Sequence, residues 1–519
     1  MVCFNFSIVS FIKAIDPSLL LKVIDTHSST PTGIRWIIFV IIDKLGVPVN
    51  KYITNYYNEK GSSSVIGVAV AGALIAPTFI GQNAEREVKA IADAIDANPA
   101  YTVEIASYER SWFSSRGVLT VSMELPMPQP DGSTEVMTLD SGEMLLELQH
   151  GPVLTQFDGG LGLLSWQLTA NDDNKRTSLN WSEDQALYQL TGSMGLTGNA
   201  TYDDQIADVN YRSADGDFIV EMSGYRGNGT FGNDAFSYSG SHKTLVMGEA
   251  SDPATITGID LQTSANGSLI DALNGELLES DIVLSVANAT QSGEEVLSGF
   301  AMTAGSELAE TGDTLSVNVN TAVEAAQLPS GTASNLVMNV SFSRIDKEFT
   351  QAYQQLVNST YGQPQEVMQQ QLTALFEQYQ QQVLAAKPEF SITELSGDLP
   401  KGSFSGQANV TFADIATIPA NPTTDFWLQH ILAEGAIEAA KPLVKDALRL
   451  QLQTVLAQQM PNQDVNSEQF QAMIEQQVEQ VIAVYLQQGF IVENEQQYQS
   501  AVELKQGSLM LNGKQLPLM

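Results

Sequence analysis

Cysteine is nearly absent: Cys3 is the only one in 519 residues, which excludes an internal disulfide, a thiolate metal cage and a C-x-x-C redox pair. Histidine is almost as scarce. The four are His27, His150, His242 and His430; none has a partner four positions on and no H-E-x-x-H occurs, so a zinc hydrolase would have to gather scattered ligands. Charged residues make up only 16%, and basic ones are the fewest, with 24 Lys+Arg against 60 Asp+Glu for a net charge of −36. Six of those cations and four of the acids fall in residues 1–60, so the remainder is a strongly acidic body that repels nucleic acid and anionic headgroups. No G-x-S-x-G nucleophile elbow is present. These absences leave no cofactor, no metal and no catalytic residue to name.

What is present is apolar and neutral. Hydrophobic residues reach 43%, which argues for a packed core rather than disorder and leaves the surface to Gln, Asn, Ser and Thr. From Val65 to Gly81 no residue is charged, and such a run covers most of a bilayer's hydrocarbon core as a helix. The sequence therefore predicts a membrane anchor over 62–84, uncleaved because no A-x-A site follows, and ended by Pro77 and Gly81. Lys and Arg upstream favour a cytoplasmic N-terminus and an exported body. A second apolar run, Ile34–Val47, is broken by Asp43 and Lys44. Residues 1–60 are expected to be an extension upstream of a natural start near residue 60.

After the anchor, Val88, Ile91, Ala92 and Ile95 recur at helical spacing over Glu85–Asn98. The period then switches to two. Val103 and Ile105, Val118–Leu125, Leu284 and Val286, Leu315 to Val319 and Leu336 to Phe342 alternate as strands between turn-forming clusters, among them Pro130-Asp131-Gly132. Region 85–345 is thus β-rich. Region 346–519 is helix-rich with interspersed strands. A helical block over Asp346–Ala386 breaks at Gly362–Pro364 and carries a stripe of Met368, Leu372, Leu375, Phe376, Tyr379 and Val383. Strands return over Phe390–Phe412. Two more helices follow, one with Val444, Leu448, Leu452 and Val455, the other with Phe470, Ile474, Val478, Val481 and Tyr485, capped by Asn466 with Gln469 and by Gly489. A hairpin over Val502–Leu518 turns at Asn512-Gly513. The fold class is α+β: an extended antiparallel meander with amphipathic helices on one face or end, preceded by one transmembrane helix.

Three features suggest chemistry. Gly227-Asn228-Gly229-Thr230-Phe231-Gly232 fits G-x-G-x-x-G, but no helix N-terminus follows to hold a pyrophosphate, so β-turn punctuation is expected. Asp172-Asp173 and Asp215-Gly216-Asp217 pair acids without completing a calcium loop and suit surface turns. Finally, Tyr108-Glu109-Arg110-Ser111-Trp112-Phe113-Ser114-Ser115 is a dense aromatic segment. Tyr108, Trp112 and Phe113 are expected to be buried along an early strand, with Arg110 pairing an acid at its edge.

That segment resembles the Y-x-R-G-x-F-S-S signature of the YdgA-like family of bacterial proteins, and His150-Gly151-Pro152 looks like its H-G-P element. Phe349–Glu377 resembles its Gln-rich helix and Gln506–Leu518 its closing hairpin. Ser111 departs from the family's usual Gly, which bears on the local turn. The resemblance runs from about residue 62 to the end, and it implies a single-span inner-membrane protein with a periplasmic body and no established activity. The functional expectation is a noncatalytic envelope scaffold or binding protein, holding an apolar ligand such as a lipid, or another envelope protein, along a β-groove. The alternative is an envelope hydrolase using paired carboxylates in an aromatic-lined cleft. Homodimer formation through the helix near Gln469–Gln488 is compatible with both.

Overall fold

The computed structural model describes residues 62–128, 134–157, 159–363, 365–419, 421–459 and 467–516, with the side chains of the first helix described from Pro77 onward. His27, Asn466, the Ile34–Val47 run and the Pro130-Asp131-Gly132 turn lie outside them. The chain forms two compact units. One comprises residues up to Ile282 with Gln291–Gly293 and Gln351–Leu375; the other comprises Val283–Thr290, Glu294–Thr350 and Phe376–Met519. Strands account for about half of the described residues and the ladders are antiparallel, as the period-two alternation predicts.

The first unit opens with helix α1 (Ser62–Asp96). Strands β1 (Tyr101–Arg110), β2 (Ser114–Pro128), β3 (Thr134–His150), β4 (Val153–Leu154) and β5 (Gly160–Ala170) follow, then the short helix α2 (Asp173–Leu179). The sheet continues through β6 (Tyr188–Gly195), β7 (Ala200–Ile206), β8 (Val209–Arg212), β9 (Phe218–Ser223), β10 (Arg226–Phe231), β11 (Ala235–Glu249) and β12 (Asp252–Asn266), with α3 (Leu269–Leu273) after it. Strand β13 (Glu279–Gln291) divides between the units.

Helix α1 corrects the expected boundary. Pro77 and Gly81 do not end it; both lie inside it, and both are buried. The reason is a stripe at three- and four-residue spacing, Pro77, Gly81, Ala84, Val88 and Ile91, buried along one side. Ile80, Ala84 and Val88 enter the main core with Leu119, Leu146 and Trp166 of β2, β3 and β5. Packing thus holds one continuous helix across a proline that costs it a backbone hydrogen bond. Among the described residues no helix is long and apolar enough to cross a membrane. The side chains of residues 62–76, most of the expected anchor, lie outside that set.

The second unit carries β14 (Glu294–Leu308), β15 (Thr314–Leu328) and β16 (Gly331–Asp346); α4 (Lys347–Ser359) and α5 (Gln365–Ala385) follow, on either side of the expected break, with Gln351–Leu375 counted in the first unit and the rest in the second. The second unit continues with β17 (Glu389–Leu399), β18 (Gly402–Phe412), α6 (Thr424–His430), β19 (Ile431–Ala440), α7 (Lys441–Gln459) and α8 (Glu468–Gln488). Strands β20 (Val492–Glu493), β21 (Gln497–Lys505), β22 (Ser508–Leu511) and β23 (Lys514–Leu516) close the chain.

Helices α7 and α8 share a core of Phe470, Ile474, Val478 and Ile482 against Val444, Leu448 and Leu452. Ile482 takes the place expected for Val481, because a strict four-residue step keeps the stripe on one side, and Tyr485 is exposed. The stripe that suggested a dimer is thus occupied within the unit. Ser467 is the N-cap of α8, and Gly489 caps its C-terminus at φ 78°. The closing segment is two tight turns rather than one: Gln506-Gly507 and Asn512-Gly513 both adopt positive φ, giving three strands.

Candidate functional site

Strand β3 ends on His150, whose imidazole is 1% exposed. Its Nε2 lies 3.0 Å from Ser115 Oγ on β2, and its Nδ1 is 3.4 Å from the Trp112 carbonyl oxygen. An Nδ1–H donating to that carbonyl leaves Nε2 to accept from the serine hydroxyl. The backbone N–H of His150 donates to the Phe113 carbonyl at 2.8 Å. Gly81 of α1 meets the ring's other side: a Cβ there would stand 2.3 Å from Cε1, so only glycine lets the helix rest on the imidazole. Burial pushes the His150 pKa down, Arg110 adds to this, and the Trp112 carbonyl opposes it.

A serine hydroxyl hydrogen-bonded to an oriented imidazole is the arrangement of an activated nucleophile. Here Ser115 is 4% exposed, and burial of both groups denies a substrate access. The pair acts as a clamp joining β2, β3, the 111–113 turn and α1. Arg110 meets Glu85 of α1 at 3.6 Å, the edge pairing expected of it. Trp112 and Phe113 are a correction: both are exposed at the turn between β1 and β2, because the strand ends before them. Ser111 closes that turn through its N–H to the Ser114 carbonyl at 2.8 Å without entering the positive-φ region, so a hydroxyl residue suffices there.

The other two described histidines are also held by backbone carbonyls: His242 Nε2 is 2.8 Å from the Thr244 oxygen and His430 Nδ1 is 2.7 Å from that of Phe426. Gly227 and Gly229 sit within β10, paired to β7 and β11. A Cβ at Gly227 would strike Asp204 Oδ1 and the Tyr238 hydroxyl, and one at Gly229 the Tyr202 ring. They make room for a buried carboxylate rather than a turn or a phosphate. Tyr188 and Tyr225 donate to Asp204 Oδ2 at 3.3 and 3.1 Å, and Tyr238 to Oδ1 at 3.3 Å. Burial pushes the Asp204 pKa up while the three phenols oppose it. Sequence spacing gives no sign of this cluster, because Asp204 and its three tyrosines come from three strands and a loop.

Asp215 accepts from Ser213 Oγ at 2.5 Å and from the Asp217 N–H at 3.2 Å, a turn. Asp172 begins the turn into α2, accepting from the Lys175 N–H at 3.4 Å. A cleft of about 380 Å³ in the first unit includes Asp208 and Glu221 but no aromatic ring. Asp208 is engaged by the Gly224 N–H at 2.9 Å. This pair lacks the ring-lined setting that the hydrolase reading needs.

In the second unit the ladders sort the side chains onto two unlike faces, since cross-strand partners share a side. One row runs Val317, Phe342, Phe390, Val410, Ala433 and Leu504 from β15 to β21. The next runs Val319, Val340, Ile392, Ala408, Gly435 and Val502. A third carries Met338, Leu395, Gly406 and Ile437. Bulges at Thr393 and within β16 leave the sorting intact. The opposite face is polar and carries acids: Asn339 donates to Glu394 at 3.1 Å, Ser405 to Glu438 at 3.0 Å and Asn409 to Glu389 at 2.8 Å.

Helices α7 and α8 cover one end of the apolar face, where Tyr498 of β21 joins their core. Met338, Phe342, Ile437 and Val502 remain 40–50% exposed. With strands about 4.8 Å apart, the six from β15 to β21 that carry these rows span about 24 Å. Three rows add about 13 Å of height. An open apolar strip on that scale marks an interaction surface.

Comparison with known families matches residues 59–519 to one described as a bacterial protein of unknown function, DUF945. The chain belongs to the DUF945 family. The match takes in helix α1, the His150 clamp and the apolar face of this DUF945 protein. No curated protein matches it, and no solved structure does.

Proposed function

We propose that this DUF945 protein is a membrane-anchored scaffold or binding protein of the bacterial cell envelope that holds acyl chains along the apolar face of its second unit. The observation that carries this reading is the set of rows on β15 to β21, uncharged, contiguous and partly open to solvent. The strip suits extended hydrocarbon better than a compact polar substrate, which would find few hydrogen-bond partners among Val, Ile, Phe and Met. The acidic body disfavours an anionic headgroup, so the head of the bound molecule stays off the strip.

Anchoring through Val65–Gly81, with the body in the periplasm, is the placement that the uncharged run and the upstream cations favour. It is also the placement of a YdgA-like protein, the finer assignment supported by Tyr108–Ser115 and His150–Pro152. Among the described residues, the cleft that holds Asp208 and Glu221 offers the hydrolase reading no aromatic lining.

The test uses the full chain in living cells fed a diazirine-bearing fatty acid. Irradiation is expected to attach the probe to peptides of β16, β18 and β19, and Ile437→Asp with Met338→Asp to abolish that attachment while Asn339→Asp on the polar face leaves it. Labelling spread evenly over the protein, or unchanged in the apolar-face variant, refutes the acyl-chain reading.

A further inference from the structure

The end of the first unit where β1, β3 and β6 finish and β2, β5 and β7 begin carries six large apolar side chains that are 51–75% exposed: Phe79, Trp112, Phe113, Val153, Leu161 and Leu196. Single exposed apolar residues need no explanation, but several at one end do. The Trp112 and Phe113 ring centroids are 6.4 Å apart. Val153 and Leu161 are direct cross-strand partners. Leu196 follows Gly195, which pairs with Gly162 beside Leu161.

Phe79 is two residues from Gly81, which rests on His150, whose Nδ1 meets the Trp112 carbonyl. Helix α1 reaches its C-terminus where β1 starts, and Glu85 meets Arg110 where β1 ends, so toward its N-terminus the helix leaves the sheet at this same end. Among the described residues, loops 111–113, 151–157 and 196–199 contain no charged residue and the neighbouring 232–234 loop contains one, Asp234, in a chain with 60 acids.

We infer that this end of the first unit lies against the bilayer, its Trp112 turn and Leu161 strand seated at the headgroup level around the base of the α1 anchor. The inference rests on the anchor reading of Val65–Gly81, and it is that continuity which selects lipid over a protein partner: the exposed side chains lie at the end of the first unit where the apolar run meets the body. Trp and Phe favour the membrane interface, where an apolar ring and a polar backbone are both accommodated. A nearly uncharged loop set avoids the cost of desolvating carboxylates there.

The test places an environment-sensitive fluorophore on single cysteines in a Cys3→Ser full chain, at Leu161→Cys, Val153→Cys or, as a control at the far end of β1, Thr102→Cys. The chains are reconstituted in zwitterionic phosphatidylcholine vesicles with and without doxyl-labelled acyl chains, and an alkaline wash reports anchoring. Blue-shifted emission quenched by doxyl lipid at Leu161 and Val153, but not at Thr102, is the expected result. Water-like emission at all three in chains that survive the wash overturns the interface inference and leaves the anchor standing. A blue shift without lipid quenching also overturns it, in favour of a protein contact. Chains lost in the wash overturn the anchor reading and the inference together.

Discussion

Gly81 and His150 touch face to face, a helix backbone laid on an imidazole with no space for a methyl group between them. Because Ser115 and the Trp112 carbonyl fix the ring from its edges, the ring has nowhere to retreat. Gly81→Ala is expected to destabilise the first unit by about 1–3 kcal/mol, the usual cost of overpacking. In a His150→Ala background the same change should cost much less, since its obstacle is gone; a double-mutant cycle in denaturant measures that coupling. Equal costs in both backgrounds would show that the helix does not bear on the ring.

The depressed His150 pKa fixes the sign of one pH effect. The native state holds the ring neutral more firmly than the unfolded chain does. Between the two pKa values the unfolded chain binds more protons, so this contribution is full above the ordinary histidine value of about 6.5 and is lost as pH falls through the lower native one. His150→Asn should remove that part of the pH dependence, as read from denaturant midpoints over that range.

Asp204 carries the opposite sign. Its native pKa is raised by burial, so its contribution is full below the unfolded carboxylate value and is lost as pH rises through the native one. Asp204→Asn should therefore flatten the stability profile above about pH 4. An unchanged profile would mean that the three phenols fully compensate the buried charge.

Gly227→Ala and Gly229→Ala should each cost about 1–3 kcal/mol by crowding Asp204 with Tyr238, or the Tyr202 ring. Thermal unfolding of the two variants checks this. If the segment were instead a phosphate cradle, the variants would lose nucleotide binding and keep their stability.

The two faces of the second unit should separate stability from binding. Ile474→Ala, in the helix-pair core, is expected to cost about 2–5 kcal/mol. Ile437→Asp, half exposed on the apolar strip, should change the unfolding midpoint far less while losing the acyl probe.

Much of this architecture could be read from residue order because it depends on local period. Alternation gave β15 and β16, and Asn512-Gly513 announced its turn, since such patterns survive whatever packs around them. Failures came where tertiary contacts decide. Pro77 reads as a stop until Ile80, Ala84 and Val88 are seen gripping the sheet. Trp112 and Phe113 read as core because they are aromatic, yet the chain reverses before them. Ser115 and His150 stand 35 positions apart, and no periodicity links them. The glycines of β10 read as turn punctuation, yet they lie inside a paired strand, where their purpose is defined by tyrosines on neighbouring strands.

The polar face of the second unit relies mostly on amide and hydroxyl donors meeting carboxylates across strands, with few cations involved. Contacts at this range, between a neutral donor and an acid, are far shorter than the distance over which dissolved ions screen charge. Brine that would loosen a surface of lysine-glutamate pairs should leave this one intact, and would relieve the mutual repulsion of the surplus acids besides. A sheet dressed in this way should keep its surface contacts over a wide range of ionic strength.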